Sequence, residues 1–225
     1  TSQTRRRNMI TKLPNITQYA FPANQYLAEE HPKAQIYLHH TAGGPSAINT
    51  FKGWESNSER IATCIAIDNS GEIVQGFSSK YWAFHLGLKE STFQKYGVPY
   101  KSLDRISIGI EICNWGQLTK KGDKFYNYVK KEVPVDQVWE LPVPYKGYTY
   151  FHSYTDAQIQ SVKNIVVYLG EKYDIPLTYN HDDLWNISPK ALRGEKGIYT
   201  HNSVRTDKVD IYPHPKMIEM LEQLK

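Results

Sequence analysis

The chain has 225 residues, 40% apolar and 22% charged, which is enough for one sizeable hydrophobic core and excludes a disordered or fibrous protein. Its 27 basic and 23 acidic residues leave a net charge of +4, too mild for a nucleic-acid-binding surface but compatible with approach to an anionic polymer such as a cell envelope. No apolar run approaches the ~20 residues of a membrane span, no signal-peptide core opens the chain, and Cys64 and Cys113 are too few for a disulfide framework. The expectation is a soluble single domain, and the start at Thr1 leaves open an export leader already removed.

In chain order, residues 1–33 read as an irregular arm, because Pro14, Pro22 and Pro32 interrupt any helical pattern, and Arg5-Arg6-Arg7 reads as a solvated basic run. Residues 34–41, AQIYLHHT, are strand-like and stop at Gly43-Gly44-Pro45. Alternation puts Ile36, Leu38 and His40 on one face and Tyr37, His39 and Thr41 on the other. A helix is expected over Ser46 to Glu55 with Pro45 at its start, then a hairpin from Arg60–Ile67 through Asp68-Asn69-Ser70-Gly71 to Glu72–Gln75. Residues 81–87, YWAFHLG, suit a core strand or the wall of a sugar-binding groove, and His85 taken alone favours the core.

Residues 106–113, ISIGIEIC, carry isoleucine at every second position and leave Ser107, Gly109, Glu111 and Cys113 on the opposite face. Glu111 there is either part of an exposed polar face or a carboxylate with room for a ligand beside it. Residues 115–153 change to Lys, Gly and Tyr with three prolines, the texture of an insertion of hairpins and loops whose aromatics pack a satellite core or stack on sugars. Thr155 and Gln158 have capping-box spacing ahead of Ile159, Val162, Val166, Leu169 and Tyr173, so a helix runs to about Tyr173. A second insertion covers residues 179–196, and a last helix after Pro213 and Pro215 docks Ile218, Leu221 and Leu224. Strands interleave with helices, which implies a mixed α/β fold: one central mixed sheet flanked by helices.

Between these elements Thr200 to Asp210 places an imidazole, an ammonium and a carboxylate in one polar segment, read as a loop that carries chemistry. His201 and Asp210 are donors of the kind a catalytic Zn²⁺ takes, and three protein ligands plus water is the usual arrangement, so a third ligand must come from elsewhere. The bland reading of the same loop is solvated charge.

The fragments IYLHHTA at 36–42, GEIVQ at 71–75, WAFHLG at 82–87, SIGIE at 107–111, and His201 through Lys208-Val209-Asp210 stand in one order along the chain. In that order the chain resembles the zinc-dependent N-acetylmuramoyl-L-alanine amidases, the family of T7-type phage lysozymes, cell-wall-recycling amidases and peptidoglycan recognition proteins. The likeness covers residues 34–225 apart from the two insertions. It implies His39, His201 and Asp210 as ligands of one Zn²⁺, Lys208 as the catalytic lysine and Glu111 as the general base. It also implies His85 as a groove histidine near substrate, with Trp82 and Thr63 as further substrate contacts. Thr63 stands where T7-type enzymes have a catalytic tyrosine, and Cys64 replaces a frequent histidine, so the glutamate version of the site is implied. His40 and His181 are the competing imidazoles; His40 shares the aliphatic face, and His181 lacks a following Lys-x-Asp. The implied partner is peptidoglycan or a muropeptide, met by a soluble monomer at the bacterial cell wall, and the implied owner includes a phage endolysin. The competing functions are a non-catalytic peptidoglycan-binding module and a phage structural protein that anchors to wall.

Overall fold

The computed structural model describes residues 14–224, so Arg5-Arg6-Arg7 lies outside the described residues. The strands are β1 (Ile16–Gln18), β2 (Gln35–His40), β3 (Ile65–Ile67), β4 (Ile73–Gln75), β5 (Ser107–Ile112), β6 (Gln117–Lys121), β7 (Lys124–Tyr126), β8 (Glu132–Val133), β9 (Val138–Tyr145), β10 (Tyr148–His152) and β11 (Gly197–Thr200). The helices are α1 (Ala47–Glu55), α2 (Glu90–Lys95), α3 (Asp156–Tyr173), α4 (His181–Trp185), α5 (Pro189–Leu192) and α6 (Pro215–Glu222). The mixed α/β architecture holds two sheets, one ordered β1-β4-β3-β5-β2-β11 and one ordered β8-β7-β6-β10-β9.

The first sheet is parallel at every pairing except β3 with β4. Its inner strands β2 and β5 are buried at every position, because both faces are covered, as parallel sheets require. The alternation read in the sequence sorts side chains between two cores rather than between core and water. Ile36, Leu38, Ile108, Ile110 and Ile112 join the main core with Val162, Ile165, Val166 and Leu169 of α3 and Met217, Met220 and Leu221 of α6. Tyr37 joins the opposite core with Leu86, Phe93, Leu103, Leu192, Tyr199 and Val204. Each aliphatic side chain fully buried in this way contributes roughly 1.5–3 kcal/mol.

Local signals set the helix ends. Thr155 Oγ1 accepts the Gln158 amide at 3.1 Å while Gln158 Oε1 accepts the Thr155 amide at 3.1 Å, the reciprocal capping box. Ser46, not Pro45, caps α1, its Oγ accepting the Asn49 amide at 3.1 Å. In α6 the docked stripe adds Met217 and Met220 to the expected residues: Leu221 and, just past the helix, Leu224 are buried, and half-buried Ile218 packs against the same core.

Two expectations change. Residues 14–33 are largely irregular, as expected, but they are built into the fold: β1 pairs in parallel with β4, Phe21 is buried with its ring 4.5 Å from that of Phe51, and Leu27 bridges Trp82. Proline excludes helix but leaves an edge strand open, and a three-residue strand is too short to show alternation. Residues 81–87 form no regular strand; only isolated bridges tie Trp82 to Leu27 and Phe84 to Ile61. The insertion at 115–153 does consist of hairpins, joined into one antiparallel sheet, and it has the expected satellite core, where Leu118, Phe125 and Val133 pack with Trp115, Val138 and Tyr150. The second insertion holds α4 and α5.

Candidate metal centre and cleft

The site lies at the carboxyl ends of three adjacent parallel strands, where open α/β sheets bind ligands. His39 is the penultimate residue of β2 and Glu111 of β5, and the parallel register sets them side by side. Thr200 ends β11 opposite Leu38, so the next residue, His201, emerges beside His39. Thr200 Oγ1 accepts the Asn202 amide at 3.2 Å and opens a single 3-10 turn, His201–Ser203. This stretch is polar yet buried, so its polar groups are paired internally: Thr200 Oγ1 donates to Leu184 O at 2.6 Å and Ser203 Oγ to Asp183 O at 2.6 Å.

Three donor atoms meet there. His39 Nδ1 stands 3.1 Å from His201 Nδ1 and 3.3 Å from Asp210 Oδ2, and His201 Nδ1 stands 3.2 Å from Asp210 Oδ2. Among the described residues these form the one group of His, Cys, Asp and Glu with metal-ligand spacing. For a tetrahedral ion with donor distances of about 2.0–2.2 Å, donors stand roughly 3.3–3.6 Å apart, so the triangle fits Zn²⁺.

The outer nitrogens fix which lone pairs face inward. His201 Nε2 donates to Leu86 O at 2.7 Å, which leaves Nδ1 as the acceptor toward the cluster. His39 Nε2 meets His85 Nδ1 at 2.9 Å, and His85 Nε2 meets Ser107 Oγ at 2.9 Å. In the tautomer in which His39 Nε2–H donates to His85 Nδ1, the His39 Nδ1 lone pair faces the cluster as well, as metal binding requires. Asp104 Oδ1 accepts the amides of His85 at 3.0 Å and Leu86 at 3.1 Å, holding the loop that orients both rings.

The charges follow from burial. Burial, then the neighbouring His201, pushes His39 down to about 4, so it is neutral at neutral pH. Burial alone would raise Asp210, but the His201 and His39 imidazoles outweigh it and hold the carboxyl well below the usual range. One buried carboxylate and two imidazoles converging on one point make a donor set suited to a divalent cation. Glu111 is pushed well above its usual value by burial and then by Asp210, with Lys208 pulling the other way.

A cleft of about 660 Å³ opens over the cluster, lined by His39, His85, Glu111, His201, Lys208 and Asp210. It also takes in Phe84, from the run read as a possible groove wall, and Trp54 of α1, Gln117 of β6, Ile61, Tyr100 and Arg205, which come from segments far apart in the chain that no single spacing links. Six of the expected site residues are thus brought together, and two are not. Trp82 is buried away from the cleft, its Nε1 donating to Glu29 Oε2 at 3.2 Å and its ring under the Arg105 guanidinium at 5.2 Å. Thr63 is buried with its Oγ1 donating to Ile65 O at 2.8 Å, packed against Gly109, where a Cβ would come within 2.8 Å of Thr63 Cγ2 and 2.9 Å of His85 Nδ1. His85 supports His39 from behind as well as lining the cleft. Of the competing imidazoles, His40 reaches the cleft rim but turns to Gly116, and His181 starts α4 on the surface.

A family model described as N-acetylmuramoyl-L-alanine amidase matches residues 29–215. The chain belongs to this family. This amidase hydrolyses the amide between N-acetylmuramic acid and L-alanine, a reaction of cell-wall degradation. Among solved structures its fold is similar to that of PlyL, at 16% identity and a TM-score of 0.54 over 94% of this chain and 98% of that one. The endolysin N-acetylmuramoyl-L-alanine amidase LysCS from Clostridium intestinale URNW shares 14% identity and a TM-score of 0.50 over 94% and 95% of the two chains. The catalytic domain of XlyA shares 15% identity and a TM-score of 0.50 over 87% and 90%. At these identities the likeness concerns the fold. No curated protein matches the chain. No helix among the described residues is long and apolar enough to cross a membrane.

Proposed function

We propose that this amidase is zinc-dependent, with one Zn²⁺ on His39, His201 and Asp210, Glu111 as general base and Lys208 as oxyanion donor. The observation that carries the reading is the triangle of buried Nδ1, Nδ1 and Oδ2 atoms, spaced for a tetrahedral ion. When bound, Zn²⁺ supplies a Lewis acid that polarises the scissile carbonyl and acidifies water.

An amide is a poor electrophile with a poor leaving group, so the chain must supply a proton acceptor, charge stabilisation and a proton donor. Glu111 accepts a proton from the attacking water, whose oxygen joins the lactyl carbonyl carbon. As the C–N bond breaks, Glu111 returns that proton to the departing nitrogen of L-alanine, and its raised affinity for protons suits both steps. Lys208, on the cleft wall, offsets the negative charge that develops on the carbonyl oxygen. His85 and Leu86 O keep the His39 and His201 rings in the orientation the ion needs. Every group comes from one chain, so a monomer suffices, acting on wall peptidoglycan or a released muropeptide at the bacterial cell wall.

The purified protein should carry about one Zn²⁺ per chain, as one three-ligand site allows, and wall digestion should raise free amino groups without raising sugar reducing ends. A rise in reducing ends would mean a glycosidase and would overturn the reading.

A further inference from the structure

The loop from Asn202 to Asp210 carries Lys208 and Asp210, and its grip comes from outside the first sheet. At the tip of the β9–β10 hairpin, Tyr145 pairs with Tyr148 around Lys146 and Gly147, both at positive φ (49° and 83°), the two-residue turn that suits a twisted hairpin. That turn aims the Lys146 ammonium at two acceptors on the loop: Lys208 O at 2.6 Å and Asn202 Oδ1 at 3.0 Å. Asn202 is fully buried, and its Nδ2 donates to Asp210 O at 2.8 Å and Ile211 O at 2.9 Å. One ammonium therefore ties the start of the loop to its end through a single amide side chain.

The inserted sheet holds the far end as well. Tyr212, two residues past Asp210, stacks on Phe151 of β10 at 4.2 Å, and its hydroxyl donates to His152 O at 2.7 Å. The hairpin itself is anchored beside Lys146 by Tyr145, whose hydroxyl donates to Trp185 O at 3.0 Å. A lysine that merely solvated a turn would share neither acceptor.

We infer that Lys146 is a positioning residue, through which the inserted sheet braces the loop that presents Lys208 and Asp210 to the cleft. This rests on the roles proposed above for those two residues. Removing the ammonium leaves the Lys208 carbonyl and the Asn202 amide oxygen without their charge-assisted partner, so the loop samples open arrangements while its own side chains stay intact.

The test uses K146M, K146Q and K146R, with K120M as a control for loss of a lysine on the same sheet away from the loop. In metal-free protein, amides of residues 202–210 should exchange at least about tenfold faster in K146M, the low end of what losing its charge-assisted hydrogen bonds to Lys208 O and Asn202 Oδ1 would give. In protein loaded with Co²⁺, K146M should shift the visible absorption bands of the ion, and kcat should fall about tenfold with KM little changed, as misplaced supporting groups produce. K146R should restore all three, and K120M should move none. Should K146M fail to fold, K146Q carries the same comparison. Wild-type exchange at 202–210 together with an unchanged Co²⁺ spectrum in the Lys146 variants would overturn the brace. A wild-type protein that takes up no metal and releases no amine would instead overturn the zinc-site reading, while the exchange measurement still judges the brace.

Discussion

The two sheets divide the work unequally. The first, mostly parallel and buried on both faces, delivers His39, Glu111 and His201 at the ends of neighbouring strands. The second, antiparallel and largely exposed on its outer side, contributes no donor to the cluster; it reaches the cleft through Gln117 and the loop bearing Lys208 and Asp210 through Lys146. Donor spacing must hold to a few tenths of an ångström: His39 gets this from β2, paired on both sides, whereas His201 follows the edge strand β11 and Asp210 sits on a loop, so those two depend on the hydrogen bonds around them. Support can come from an exposed hairpin, because a hydrogen bond to a loop tolerates more slack. The second sheet is itself split. Leu141 and Phe151 of β9 and β10 belong to the main core, whereas Leu118, Phe125 and Val133 of β6, β7 and β8 make a separate one.

The largest effects should follow from damage to the first sheet's site. His39→Ala, His201→Ala and Asp210→Ala should each lose most of the Zn²⁺ and nearly all turnover, while His40→Ala keeps the metal; plasma emission analysis of the purified variants decides this. If His40→Ala empties the site, the ligand assignment is wrong. Glu111→Gln keeps the side-chain shape but cannot take the water proton, and should cost on the order of a hundred- to ten-thousand-fold in kcat with zinc retained. Lys208→Ala should cost roughly a hundred- to a thousand-fold. Because both act on one tetrahedral species, the double variant should lose less than the product of the single losses. Near-wild-type turnover by Glu111→Gln would move the base elsewhere.

How much of this was legible depends on how local each signal was. The alternation in β2 separates His39 from His40, and the isoleucine period of β5 singles out Ser107, Gly109 and Glu111 on one face; both survive in the structure because period two is a property of any strand. The same alternation could not tell that the polar face is buried, since that depends on distant segments covering it. Trp82 and Thr63 were placed by the resemblance, yet a matching position along an irregular stretch does not fix where the side chain points, and both turn away. Asn202, Asp104 and Lys146 carried no signal at all. Each is an ordinary polar residue whose importance lies in which distant carbonyls or amides it meets. The inserted sheet was visible as composition but not as topology, because β6 to β8 are short, β9 carries two prolines in a mostly exposed run, and the pairing is set by turns rather than by hydrophobic period.

Acid should strike the seam between the sheets next. His40 in β2 and His152 in β10, with His214 at the start of α6, are each pushed down to about 4, chiefly by burial. In the unfolded chain they bind protons near pH 6.5. Between about pH 4 and 6.5 the unfolded state therefore binds more protons, so the stability present above pH 6.5 is lost as pH falls through this window. Asp210, held low, adds loss of the same sign at more acid pH, and Glu111, held high, opposes it as a single group. The urea midpoint of metal-free protein should fall from pH 7 to pH 5. A midpoint that stays level or rises would mean that these histidines are not buried neutral.

The smallest effect on catalysis should come from the separate core of the second sheet. Phe125 is buried there against Leu118 and Val133, with the Tyr150 ring 5.0 Å away, and a buried Phe→Ala change costs roughly 3–5 kcal/mol where the whole domain unfolds as one. Here the loss has a local outlet: β6, β7 and β8 can open while β9 and β10 stay fused to the main core through Leu141 and Phe151. Phe125→Ala should therefore speed amide exchange in β6 to β8 and leave β2 and β5 protected. Because Lys146 sits on the fused half, turnover of a minimal muramyl peptide should change by no more than about twofold, far less than a named catalytic group costs. Equal loss of protection in both sheets would show one cooperative unit. Preserved β9–β10 protection with a large fall in turnover would show that the outer strands themselves reach the substrate, and either result would redraw the division between the sheets.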